Sequence, residues 1–169
     1  MGPVFTEINI DAPREKIHDY LMDFATRKEL YGDSIGDFRL LRLNSRGVGA
    51  GARFQFSRRD AWADSSIISA DAGRISERGV GGSYNKTVTG TEWEFAENPN
   101  GVTTVRISYW TEPTGFAKVF DRFTGGAGWH SRRLKRAGAR LRDLMEAGPS
   151  PVATPVAVAG GTRHPTGVR

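Results

Sequence analysis

The chain contains no cysteine in 169 residues, so a disulfide, a zinc–thiolate site and a cysteine nucleophile are all excluded. Histidine is nearly as scarce. His18, His130 and His164 are scattered, and none has a second histidine or a carboxylate at ligand spacing, so no metal site is expected. No serine stands in a Gly-x-Ser-x-Gly elbow, which removes the usual support for a hydrolase triad. The turn Gly47-Val-Gly49-Ala-Gly51 lacks the third-glycine spacing of a dinucleotide loop, and no Gly-Lys-Ser/Thr follows it. It reads as a hairpin turn, and no cofactor is expected. No apolar run approaches the roughly 20 residues of a membrane span, and Met1–Glu7 carries no export signal; the expectation is a cytoplasmic protein.

What is present is an uneven charge. The net charge is +5, yet the stretch from Phe116 to Ala147 holds eight basic residues against Asp121, Asp143 and Glu146. The basic character therefore belongs to the C-terminal part of the chain. Cations near a helix C-terminus offset its macrodipole, which is the simpler explanation; an anionic partner is the sharper one. The stretch Arg132–Arg142 has no aromatic residue among its basic ones, so specific nucleic-acid binding is not expected, only weak contact with an anionic surface.

Periodicity assigns the elements. Apolar residues at Phe116, Val119, Phe120, Phe123, Ala127, Leu134, Ala137, Leu141, Leu144 and Met145 recur every three or four positions, the mark of one helical face. A helix over Thr114–Ala147 would be roughly 50 Å long. The run Gly125-Gly126-Ala127-Gly128 predicts a bend, break or hinge in it, since each glycine costs a helix up to about 1 kcal/mol relative to alanine. Ahead of it, Val4–Ile10 reads as a strand. Pro13 opens a short helix with the stripe Ile17, Tyr20, Leu21 and Phe24, and His18, Asp19 and Asp23 off that stripe. Thr26-Arg-Lys-Glu29 has capping-box spacing and predicts a second short helix. Six strands follow: Ile35–Leu43, Arg53–Ser57, Trp62–Ala70, Arg74–Val80, Lys86–Phe95 and Val102–Thr111. Their connections are too short for parallel crossovers, so they pair antiparallel. Beyond Ala147 the composition turns to Pro, Ala, Val, Thr and Gly without period, so the expected organisation is one domain, 1–147, and a disordered tail, 148–169.

This order, strand, two short helices, six strands and a long C-terminal helix, resembles the START-related SRPBCC superfamily. That group includes polyketide cyclase/dehydrase-like proteins, lipid-transfer START domains and the birch-pollen-allergen fold. The resemblance is carried by Ile8-Asn-Ile-Asp-Ala-Pro13, Ile17 with Leu21-Met-Asp23, Gly47-Val-Gly-Ala-Gly51, Thr91-Glu-Trp-Glu-Phe95 and Gly101-Val-Thr-Thr-Val105. It implies an α+β helix-grip fold, a curved seven-stranded antiparallel sheet wrapped around the long helix, with a cavity for an apolar ligand.

Alternation along the strands then selects the residues facing that cavity: Phe54, Phe56, Ile68, Trp93, Phe95, Val105, Ile107 and Tyr109, opposite Phe116, Val119, Phe120 and Phe123 on the helix. Tyr84 and His130 are candidate polar groups within it, whereas Arg53 shares a parity with Gln55 and Ser57 and should face outward. The expected function is binding of a small hydrophobic ligand, such as a lipid, polyketide or isoprenoid, by a monomer or homodimer. A polyketide cyclase, aromatase or dehydratase-like enzyme using the same cavity is the alternative, and the residues favour binding over catalysis. A third reading is surface contact with anions through the basic helix. A hinge at the glycine run would gate the cavity.

Overall fold

The computed structural model describes residues 2–56, 62–81, 87–113, 126–147, 156–158 and 161–163. Seven strands form a curved antiparallel sheet: β1 (Val4–Ile10), β2 (Ile35–Leu40), β3 (Gly51–Phe56), β4 (Trp62–Asp71), β5 (Arg74–Gly81), β6 (Thr87–Glu97) and β7 (Thr103–Pro113). Their spatial order is β1-β7-β6-β5-β4-β3-β2, so every sequential pair from β2 to β7 is a hydrogen-bonded neighbour and β1 returns to pair with β7. Two short helices, α1 (Arg14–Leu21) and α2 (Arg27–Tyr31), follow β1, and the C-terminal helix α3 runs over Gly126–Glu146.

The first turn between β2 and β3 explains its glycines. Gly47 and Gly49 have φ of 88° and 86°, in the left-handed region where a side chain is strained, and the turn brings Leu41 N–H onto Gly51 O at 2.9 Å. Thr26 stands before α2 as expected, but no capping box forms there. Its hydroxyl donates backward to Asp23 O at 2.8 Å and stays off the helix amides, because Thr26 itself has helical dihedrals (φ −84°, ψ −22°). Asp23, placed off the apolar stripe, is buried, since its carboxylate accepts the Ala25 N–H at 2.9 Å.

The core lies between the inner sheet face and the helices. From the sheet come Ile10, Phe38, Leu40, Ala52, Ile67, Ile75, Trp93, Phe95, Val105 and Ile107; from the helices come Ile17, Leu21, Leu30, Leu134, Leu141 and Met145. The spacing Leu134, Leu141, Met145 is the apolar stripe of α3, laid against β1, β7 and α2. Helix α3 begins inside the glycine run, and Gly128 has open space where a side chain would stand. The first half of the expected helix, with Phe116, Val119, Phe120, Phe123 and Gly125, lies outside the described residues, as does Tyr84.

Within segment 148–169 the described residues pair with the sheet. Two short strands, β8 (Val156–Val158) and β9 (Gly161–Arg163), extend the sheet beyond β2 to nine strands. β8 runs parallel to β2, with Ala157 opposite Arg39 and Val158 opposite Leu40. β2 is otherwise an edge with unpaired backbone groups, and a β-branched Val-Ala-Val segment can pair there without an amphipathic pattern of its own. Among the described residues no helix is long and apolar enough to cross a membrane.

Candidate functional site

The inner face of β6 and β7 grades from packed to open. Register pairs Phe95 with Val105, Trp93 with Ile107, Thr91 with Tyr109 and Thr89 with Thr111. At the Phe95 end α1 closes the sheet: His18 lies edge-on to Phe95 at 5.8 Å, and Phe95 and Val105 are buried in solid core. Towards Thr89 no such cover is present among the described residues, and a cavity opens under α3. The cavity volume is about 60 Å³; counting all free space out into the open mouth gives about 620 Å³.

Phe54, Phe56, Trp93, Ile107, Tyr109 and His130 all line this cavity. Three expected positions do not. Phe95 and Val105 are filled core for the reason just given. Ile68 is half exposed on the outer face, because Ala63, Ser65 and Ile67 are the inward positions of β4 and Ile68 follows directly on Ile67. Arg53 does face outward, paired with Asp64 on the neighbouring strand at 2.7 Å. The walls are largely ring faces. Tyr31 stacks on Phe54 at 5.4 Å, and His130 stacks on Tyr109 at 4.7 Å.

Polar residues that periodicity did not select complete the site. Arg27 is fully buried and pairs with buried Glu77 at 2.5 Å. Glu77 also accepts from Ser65 Oγ at 2.8 Å and from Trp93 Nε1 at 2.6 Å, while Arg27 Nε donates to Leu21 O at 2.7 Å. The Arg27 guanidinium rests 4.2 Å from the centroid of Phe24. Burial is the largest single influence on the Arg27 pKa and lowers it, but Glu77 and Tyr31 together outweigh it and carry it above the ordinary value. Tyr31, beside this pair, has its hydroxyl raised above the ordinary tyrosine range, first by burial and then by Glu77. Tyr31, Ser65, Glu77 and Trp93 of this network line the floor of the cavity, with Arg27 buried behind them.

Arg133 enters from α3. It follows exposed Arg132 but is turned about 100° from it around the helix, towards the side of buried Leu134. Its guanidinium carbon lies 4.0 Å from the Phe56 ring centroid, 5.6 Å from Trp129, 5.9 Å from Tyr31 and 6.0 Å from Phe54. No carboxylate pairs with it among the described residues. Burial pulls its pKa below the usual value, opposed only by Tyr31 and Tyr109. Signals for these residues do exist in the sequence. Glu77 shares a parity with Ile75, and Arg27 lies three and four positions before Leu30 and Tyr31. Each is a charge on an apolar face.

No protein-family model matches the chain, and no curated protein matches it in sequence. Solved structures do. A protein from Nitrosospira multiformis aligns over 85% of this chain and 96% of its own length, at 15% identity and a TM-score of 0.64. A START superfamily protein from Mycobacterium smegmatis aligns over 86% and 97%, at 12% identity and a TM-score of 0.63. Truncated norcoclaurine synthase from Thalictrum flavum aligns over 85% and 92%, at 11% identity and a TM-score of 0.63. At such identities the shared property is backbone architecture. The chain shares with these structures the helix-grip fold, a curved antiparallel sheet packed on a C-terminal helix.

Proposed function

We propose that the protein binds a small, largely apolar ligand of the lipid, polyketide or isoprenoid kind in the cavity under α3. The observation that carries this reading is the composition of the cavity wall. Tyr31, Phe54, Phe56, Trp93, Tyr109 and His130 supply ring surface, and Ser65, Glu77, Thr89, Thr91 and Arg133 set polar groups among it, an arrangement found in small-molecule sites. The buried Glu77 has Arg27, Ser65 and Trp93 as fixed donors, so both its oxygens are engaged within the fold and it is a structural carboxylate. That favours binding over chemistry at the floor. Native mass spectrometry of the freshly purified full chain tests the reading. A small-molecule mass that leaves on denaturation is expected. A bare protein that also fails to take up the neutral fluorophore N-phenyl-1-naphthylamine saturably would contradict it.

One feature supports a second reading, an enzyme of the cyclase or dehydratase type. His130, the side-chain type that exchanges protons near neutral pH, lies on the cavity wall against Tyr109. Incubating the released ligand with fresh protein separates the two: a changed mass supports the enzyme, an unchanged one the binder. The exposed residues Arg132, Lys135, Arg136 and Arg142 form the solvated face of α3. Any contact they make with an anionic surface is weak and fades with salt.

A further inference from the structure

Resting on the reading of the cavity as a ligand site, we infer that its ligand is a planar aromatic or polycyclic molecule bearing a carboxylate, and that Arg133 is the residue that receives that carboxylate. Two independent observations meet here. The first is the state of the two arginines inside the fold. Arg27 has its carboxylate, Glu77, and backbone acceptors besides. Arg133 has ring faces around it and no carboxylate among the described residues, while its side chain lines the open cavity. A guanidinium lying on a ring uses its face for that contact and keeps its in-plane N–H donors for a planar, bidentate oxyanion. The ring wall and the cation thus hold the apolar body and the charged end of one molecule side by side.

The second observation is the ring character of the walls. Tyr31 and Phe54 are inclined by 25° and Tyr109 and His130 by 27°, while Phe54 meets Phe56 edge-on at 82°, so the wall offers ring faces alongside ring edges. Such faces stack on a flat body better than on a flexible chain, which must lose rotamer freedom to lie against them. Thr89 and Thr91 add hydroxyls on the β6 side, able to donate to or accept from oxygen substituents on the same ring system. Arg132, the adjacent cation on α3, is exposed and donates to Gly128 O at 3.3 Å, so it supplies an internal control of equal charge.

The test uses N-phenyl-1-naphthylamine as the neutral reporter and measures its displacement by 2-naphthoate, by its uncharged counterpart 2-naphthamide, and by decanoate. The expected result is that 2-naphthoate displaces the reporter at a concentration at least tenfold below either of the others. In Arg133→Gln the gap between naphthoate and naphthamide should collapse, while Arg132→Gln should keep it. Arg133→Lys, which keeps the charge but loses the fork, should narrow it, and the circular-dichroism spectrum and melting transition of each variant show that it is folded. Equal displacement by naphthoate and naphthamide in the unaltered protein, or an intact gap in both Arg133 variants, overturns the carboxylate assignment and leaves the cavity reading standing. Decanoate stronger than naphthoate overturns the planar body. Failure of the reporter to bind at all overturns the cavity reading, and this inference with it.

Discussion

Two arginines sit within the fold, and their surroundings differ in one respect that separates structure from function. Arg27 is neutralised: a carboxylate at 2.5 Å and a backbone carbonyl at 2.7 Å satisfy it, and no surface of it reaches solvent. Arg133 is solvated by rings, half-buried, beside open space. A buried charge costs several kcal/mol unless it is paired and fully hydrogen-bonded, so the first arrangement is one that a fold can carry permanently. The second leaves donors facing a cavity, and a cation in that state has most to gain from an incoming anion. The same side chain is therefore fixed into the core at one site and presented at the other.

The largest test of this contrast is Arg27→Met. It should destabilise the fold by about 3–5 kcal/mol in urea unfolding, because Glu77 is left buried without its counter-charge. Combining it with Glu77→Gln should return much of that loss, since the remaining amide can still meet Ser65 and Trp93. A loss below about 1 kcal/mol for Arg27→Met would mean that water reaches the pair. Next in size is Trp93→Phe, which removes the donor at 2.6 Å from the Glu77 carboxylate and should cost about 1–3 kcal/mol by the same measurement. Smallest is Arg133→Gln, where contacts with ring faces are the only stabilising interaction among the described residues. Its unfolding free energy should change by about 1 kcal/mol or less. A loss as large as that of Arg27→Met would erase the distinction and make Arg133 a structural residue.

The architecture was legible because it depends on patterns. Period-two strands, turn residues such as Gly47 and Gly49, and the Leu134–Leu141–Met145 stripe all report local backbone preference and the side that is buried. Membership of the cavity was less legible, because the pattern that puts Phe54 and Trp93 inward also puts Phe95 and Val105 inward. Only the cover, α1 on one end and none among the described residues on the other, separates wall from core, and that is set by packing between distant segments. Ile68 failed for a different reason: two adjacent isoleucines compete for one inward position, and Ile67 takes it. The polar groups were hardest. A basic residue on a basic helix is expected in solvent, and nothing local distinguishes Arg133 from Arg132 except its position beside Leu134. The strand β8 pairs with an edge of the sheet, and partnership across that distance leaves no periodic trace in the Val-Ala-Val segment itself.

The central claim, one arginine held by the fold and the other held out for a ligand, is tested most directly by the arginine Nε–H signals in a nitrogen–proton NMR spectrum of the full chain titrated with 2-naphthoate. Spectra of Arg133→Lys and of the double variant Arg27→Met/Glu77→Gln assign the two resonances. The Arg133 signal should shift saturably as its donors engage the carboxylate, while the Arg27 signal, anchored on Leu21 O, stays in place. An Arg133 signal that does not move while the naphthoate displaces the neutral reporter would contradict the account, as would an Arg27 signal that moves with it.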